Sequence, residues 1–333
     1  MRFVHIAVTF ITLVILGLGA AGLYAVHYVA QPLSLNEDKL VEVPAGWGMN
    51  RLAYHLEQEG VIESALPFRL LARINGQSDN LRSGEFLIKA HSSLLEMLAE
   101  FTDGISHQRQ VTFPEGATSY EIVRILNENE NFTGGAVYDI PAEGSLLPET
   151  YNFTRVETRQ QVLARMQAAQ AELLDRLWAE RSADLPFKTK QDALALASII
   201  EKETGIGGER RRISGVFVNR LKIGMPLQTD PTVIYALTMG KHKNDGKGPL
   251  GRRLLRKDLN IDSPYNTYRF KGLPPTPIAN AGAAAIEAAL HPESHDYLYF
   301  VADGTGGHVF SKTLDEHNRN AAKWRKIRKA QGN

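Results

Sequence analysis

The chain has no cysteine among its 333 residues. Disulfides, thiolate nucleophiles and cysteine metal sites are therefore excluded, and an oxidising compartment is compatible with that absence. Surplus charge is also missing: 38 Lys and Arg against 37 Asp and Glu leave a formal net charge of +1. With no basic excess, nucleic acid is not expected as a partner. A third deficit is local. Residues 3–30, FVHIAVTFITLVILGLGAAGLYAVHYVA, contain no Asp, Glu, Lys or Arg. A run of that length reaches across a bilayer and is about twice a secretory h-region of roughly 7–15 residues. It reads as an uncleaved single-pass anchor, with cleavage near the small residues Gly19 to Gly22 as the alternative. Arg2 precedes the span, and residues 31–38 carry acid and no cation. The positive-inside rule then puts the amino terminus in the cytoplasm and the bulk of the chain outside.

Beyond the anchor, the chain has room for two domains with ordinary cores. Segment 41–56, VEVPAGWGMNRLAYHL, aligns without gaps on 111–126, VTFPEGATSYEIVRIL. Both copies read as a strand, a Pro and Gly turn, then an amphipathic helix. The first continues with a helix at 66–74, a strand at 82–88 and a helix at 92–101. The expected class is α+β: a transmembrane anchor at 1–30, a small βααβ unit at 31–106 and a larger mixed α/β domain at 107–333. The βααβ order resembles a LysM-like module, a fold that elsewhere binds N-acetylglucosamine polymers; a spacer domain without ligand is the alternative.

Later segments alternate helices with Pro-ordered loops. Residues 160–181 form a long amphipathic helix with Val162, Met166, Ala169, Leu173 and Leu177 inward, and 210–221 form another around Ile213, Val216, Phe217 and Leu221. Before them, EGSLLPETYNF (143–153) puts Glu149, Thr150 and Tyr151 in a loop where binding groups tend to sit, and after them lie three Pro-ordered loops: LQTDPT (227–232), SPYNTY (263–268) and GLPPTPIAN (272–280). Such loops hold amide, hydroxyl and aromatic groups in order, as a carbohydrate cleft requires; a structural loop cap is the alternative for each. Residues 296–311 read as a hairpin with a Gly-rich tip. Pro292 between His291 and His295 argues against a helical metal pair, and no metal or cofactor is expected.

The stretch 191–230 carries the chemistry. Its helix ends in Glu201, Lys202 and Glu203. At about 100° per residue, Leu196, Ile199, Ile200 and Glu203 share one stripe, so Glu203 continues the core face. Glu201, about 160° round from it, belongs near solvent or a neighbouring loop. A carboxyl group against apolar neighbours holds its proton to higher pH, as a general acid must. Ordinary surface glutamates closing a helix are the alternative.

ASIIEKET (197–204), VFVNRL (216–221), LQTDPTVIYAL (227–237), SPYNTY, GLPPTPIANAG (272–282), YLYFVADGTGGHVFS (297–311) and HN (317–318) together resemble the YceG-like (MltG) family, the endolytic murein transglycosylases. The resemblance implies lytic cleavage of the β-1,4 bond between MurNAc and GlcNAc inside peptidoglycan strands. One carboxyl serves as acid and then base, leaving 1,6-anhydroMurNAc ends and terminating or trimming nascent strands. It maps the acid to Glu203, with Glu201 as fallback, and Gln228, Asp230, Asn266, Tyr268, Asn280 and Glu149 are expected along the cleft. It also implies an inner-membrane protein with a periplasmic catalytic part, glycan strands as substrate, and peptidoglycan synthases as neighbours. A tethered peptidoglycan-binding scaffold without turnover and a two-carboxylate muramidase-type hydrolase are the rival readings.

Overall fold

The charge-free run folds as one helix, α1 (Arg2–Ala30), in a computed structural model that describes residues 2–241 and 249–330. Within it, His5–Ala30 is long and apolar enough to cross a membrane. Its 26 residues measure about 39 Å at ~1.5 Å each, against ~30 Å of hydrocarbon core. The chain divides into two compact units: Met1–Arg109 with Asn152–Glu157, and Gln110–Tyr151 with Thr158–Asn333. Its class is mixed α/β, and helices dominate.

The first unit continues through β1 (Lys39–Val43), α2 (Met49–Gln58), α3 (Ala65–Ile74), β2 (Gly84–Ile88) and α4 (Leu94–Asp103). β1 runs antiparallel to β2 with Val41 opposite Phe86 and Val43 opposite Gly84. Strand alternation sends Val41 and Val43 inward. They meet Leu52, Leu56, Phe68 and Phe101, all fully buried. The Phe101 ring sits edge-on to Phe86 at 5.4 Å and to Phe68 at 6.4 Å, and each such ring stabilises the unit by about 1.5–3 kcal/mol through burial. Ser93 caps α4 in a reciprocal box with Glu96. The short polar link after α1 is not free chain. Leu33 N–H donates to Ser92 O (3.0 Å), His91 N–H donates to Leu35 O (3.0 Å), and Tyr28 and Val29 pack on the same core.

The remaining elements, in the second unit except for Arg109 of β3 and Asn152 and Phe153 of β4, are β3 (Arg109–Thr112), α5 (Ser119–Glu128), β4 (Thr150–Phe153), α6 (Arg159–Ala179), α7 (Lys190–Glu203), α8 (Arg210–Lys222), α9 (Asp230–Thr238), α10 (Ala283–Leu290), β5 (Tyr299–Ala302), β6 (His308–Ser311) and α11 (Leu314–Ala330). The internal repeat has the same local geometry in both copies. Gly46 and Gly116 turn the chain at φ +82° and +75°, a left-handed conformation that a Cβ disfavours.

α7 is the axis of this unit. Thr189 caps it in a box with Asp192, and every residue from Ala193 to Ile200 is buried. α8, α9 and α10 pack around it, and Leu196, Ile199, Ile213, Phe217, Leu227 and Ile286 form one core. Sequence periodicity alone describes a one-sided stripe, whereas the helix is enclosed on all sides. A second departure concerns the Pro-ordered loop expected at 227–232: from Asp230 onward it is already helix α9, with Pro231 in the first turn, where a missing N–H is harmless. β5 and β6 form the expected hairpin, Tyr299 opposite Ser311. Asp303 Oδ1 closes its tip by accepting from Thr305 N–H (2.7 Å) and Gly307 N–H (3.1 Å).

Candidate active site

The two glutamates leave the end of α7 into different surroundings. Glu201 is 6% exposed at its side chain. Its Oε2 accepts from Gly282 N–H at 3.0 Å, at the start of α10, and its Oε1 lies 3.6 Å from Arg210. Burial raises its pKa, with Glu115 adding to the rise, while the Gly282 amide and Arg210 oppose it. Of the two surroundings read for Glu201, the structure shows the neighbouring loop rather than solvent. Glu203 opens instead into a groove of about 370 Å³. Burial pushes its carboxyl up to about 7, and the negative charge of Asp230 adds to the rise. Arg220 and the Thr229 hydroxyl pull the other way.

The groove around Glu203 is lined by Arg220, Gln228, Asp230, Tyr268, Tyr299 and His317, with Phe217, Leu227, Phe300 and Leu314 as apolar wall. Tyr268 donates its hydroxyl to Asp230 Oδ1 at 2.7 Å. Gln228 stands at φ +52°, a conformation that few non-glycine residues adopt and that marks positions held by their surroundings. Its N–H donates to Thr267 O (3.1 Å). Thr229 N–H donates to Thr267 Oγ1, which shares a hydrogen bond with Thr232 at 2.8 Å. This buried threonine cluster fixes the backbone that presents Gln228 and Asp230. Arg220 ties two sides of the groove together. Its Nε donates to Leu298 O (2.7 Å) and its Nη1 to Leu227 O (2.6 Å), next to Tyr299 and Gln228 respectively. Its guanidinium lies 5.4 Å from the Tyr299 ring centre. His317 stacks on Tyr299 at 5.3 Å, its pKa lowered by burial and by Arg220. The arrangement offers one carboxyl that holds its proton well above the ordinary carboxylate range, a second carboxylate held by a tyrosine, and flat rings with amide and hydroxyl partners between them.

A model of the YceG-like family matches residues 41–323, a span that contains every residue lining the groove. The chain belongs to the YceG-like family. This YceG-like chain is 34% identical over 317 residues to the endolytic murein transglycosylase of Bacillus subtilis (strain 168), a match covering 85% of the chain and 84% of that protein. It is 29% identical over 358 residues to the endolytic murein transglycosylase of Streptococcus pneumoniae serotype 2 (strain D39 / NCTC 7466). That match covers 92% of the chain but only 62% of the pneumococcal protein, so the chain spans less than two thirds of that relative's length. A crystal structure of a YceG-like protein from Listeria monocytogenes shares 33% identity, covering 85% of this chain and 99% of that one with a TM-score of 0.48.

Of the residues expected along the cleft of this YceG-like chain, Gln228, Asp230 and Tyr268 line the groove with Glu203. Asn266 and Asn280 do not, and the expectation is corrected for both. Each is wholly buried. The Asn266 amide donates to Leu259 O and Ile261 O and accepts from Tyr268 N–H. The Asn280 amide accepts from Leu146 N–H and donates to Ala117 O and Ser119 Oγ. Both hold loops. Glu149 is exposed and lies outside the residues that line the groove; its backbone O accepts from Phe113 N–H (3.1 Å). Sequence reasoning assigns no role to Arg220, Tyr299 or His317, although all three sit in motifs that carry the family resemblance. It also passes over Glu143, whose carboxyl burial raises to about 7. That group accepts from Ser119 N–H (3.0 Å), and a Cβ on Gly240 would come within 2.8 Å of its Oε1, so it is enclosed. For metals, both nitrogens of the His295 ring are engaged, Nε2 with Arg212 O and Nδ1 accepting from Tyr297 N–H. Among the described residues no cluster of three or more His, Asp or Glu is placed to hold an ion.

Proposed function

We propose that this chain is a peptidoglycan lytic transglycosylase that cuts the β-1,4 bond between MurNAc and GlcNAc inside glycan strands. One observation carries the reading: the Glu203 carboxyl, with its pKa raised to about 7, opens into a groove lined by tyrosine, glutamine and aspartate. The protonated carboxyl gives its proton to the glycosidic oxygen, and the bond from that oxygen to C1 of MurNAc breaks. The GlcNAc hydroxyl departs. The carboxylate then takes the proton of the MurNAc 6-hydroxyl, whose oxygen bonds to C1 and closes the 1,6-anhydro ring. Glu203 ends as it began, and no water is consumed. Gln228, Asp230 and Tyr268 hydrogen-bond the sugars, and the Tyr268 and Tyr299 rings face pyranose surfaces.

α1 anchors the chain in the cytoplasmic membrane with the remainder in the periplasm, beside the strands that peptidoglycan synthases extend. The LysM-like first unit is a candidate for glycan binding there. Asp230 shares the groove with Glu203, which gives a two-carboxylate hydrolase as the second reading. Mass analysis of digested glycan strands separates these. Anhydro-terminated fragments support the proposal, reducing termini support the hydrolase, and intact strands with measurable binding mean a scaffold.

A further inference from the structure

Within the first unit, α3 buries Ala65, Phe68, Leu71 and Ala72 and leaves a second apolar stripe outside. Leu66, Leu70 and Ile74, spaced i, i+4, i+8, are 59%, 48% and 81% exposed, and Leu95 of α4 beside them is 45% exposed. An apolar surface of this kind on a polar domain marks a contact site. These side chains share a cavity of about 600 Å³ with Tyr24, Tyr28 and Val29 of α1, so the stripe is continuous with the end of the apolar span. Its height derives from length. About 20 residues cross the hydrocarbon core. A span starting at His5 therefore emerges near Tyr24, and Tyr24 to Ala30 sit at headgroup level. Two tyrosines at that depth are typical of the membrane–water boundary. The junction is fixed by the Leu33–Ser92 and Leu35–His91 hydrogen bonds to the start of α4, and α1 packs against both α3 and α4, which keeps α3 at the same level. α3 also carries Arg69 and Arg73 and no acid, the charge an anionic lipid surface attracts.

We infer that the outer face of α3 (Leu66, Leu70 and Ile74, with Leu95) lies in the headgroup boundary of the bilayer that α1 spans, making the first unit a lipid-docked collar around the anchor. The inference rests on the reading of α1 as a membrane anchor. It makes the membrane, not solvent or a second protein, the partner of this surface. Interfacial helices sink their apolar face about 5–10 Å into that boundary, which is the depth α3 would take.

The cysteine-free sequence allows a clean test. Leu70→Cys, Ile74→Cys and, as a control at the far end of α4, Asp103→Cys are made in the full chain, labelled with an environment-sensitive nitrobenzoxadiazole dye and reconstituted at about one copy per vesicle of phosphatidylethanolamine and phosphatidylglycerol. Flotation establishes first that the chain is held by the vesicles. The expected result is blue-shifted emission at 70 and 74, with quenching by 5-doxyl lipid at least three-fold stronger than at 103. Water-like emission at 70 and 74 in chain that floats overturns the docking while leaving the anchor. Chain that fails to float overturns the anchor reading and the docking with it. A blue shift without lipid quenching, or one present only at several copies per vesicle, means that protein covers the face and also overturns the inference.

Discussion

The Tyr268 hydroxyl donates to Asp230 Oδ1 at 2.7 Å, and this pair holds a negative charge in the groove of Glu203. Like charge disfavours ionisation of a neighbouring carboxyl, and the Asp230 charge is the second cause of the raised Glu203 pKa after burial. Removing it should let Glu203 ionise sooner. The proposed first proton transfer needs the protonated form, so cleavage is expected to fall along an alkaline limb as pH rises through about 7. In Asp230→Asn that fall should begin at lower pH. Initial rates of strand cleavage from pH 5 to 9 test this, and an unmoved limb means that Asp230 does not act on the acid.

Glu203 should also weaken the fold at alkaline pH. Its native pKa is raised above the ordinary 4.5 to about 7, so the native state binds the proton more tightly than the unfolded state. That stabilisation is complete below pH 4.5 and is lost as pH rises towards 7. Glu203→Gln has no charge to bury. It should be more stable than the parent at pH 8 by about 1–3 kcal/mol and nearly equal at pH 4. Urea denaturation at the two pH values measures the difference, and equal stability at both contradicts the burial of that carboxyl.

For Glu201 the expected role is structural. Glu201→Ala leaves Gly282 N–H without its acceptor and Arg210 with Glu115 alone as ion-pair partner, and an orphaned buried donor costs about 1–3 kcal/mol. Glu201→Gln keeps an oxygen for Gly282 and should lose less. Thermal melting of both variants, read beside their cleavage rates at a temperature where each is folded, checks this. A large rate loss in well-folded Glu201→Gln would move the chemistry to that residue.

Asn280→Ala is expected to cost about 1–3 kcal/mol, because Leu146 N–H loses its buried acceptor while Ala117 O keeps the residue-280 N–H and Ser119 Oγ keeps Ala142 O. KM for glycan should stay within about two-fold, since a wholly buried side chain meets no substrate. Denaturation midpoints and strand-cleavage kinetics check the two halves separately. A KM change without loss of stability would return Asn280 to the cleft.

Much of the fold is legible in the residues. Local signals locate the elements: the charge-free run gives α1, Pro and Gly turns locate both copies of the repeat, and period-3.6 stripes place α3, α4, α6 and α8 within a few residues. Fates that depend on long-range neighbours are not legible. Asn266 and Asn280 have the same chemistry as a sugar-binding amide, and only the fold shows that backbone groups 2 to 163 residues away take their hydrogen bonds. Nothing in the helical pattern of 210–221 singles out Arg220, yet it is buried because carbonyls of Leu227 and Leu298 converge on it. Glu201 falls off the core stripe by periodicity, but α7 has no solvent side there, and a loop some 80 residues on encloses it.

In the proposed reaction one carboxyl, Glu203, handles both proton transfers. The direct measurement is strand cleavage by purified full-length protein, comparing the parent with Glu203→Gln and Glu201→Gln at pH 6.5 and counting anhydro ends by mass. Anhydro ends are expected from the parent and from Glu201→Gln. None are expected from Glu203→Gln, which should still show a native circular dichroism spectrum. Full turnover by Glu203→Gln would contradict the assignment of both transfers to that residue.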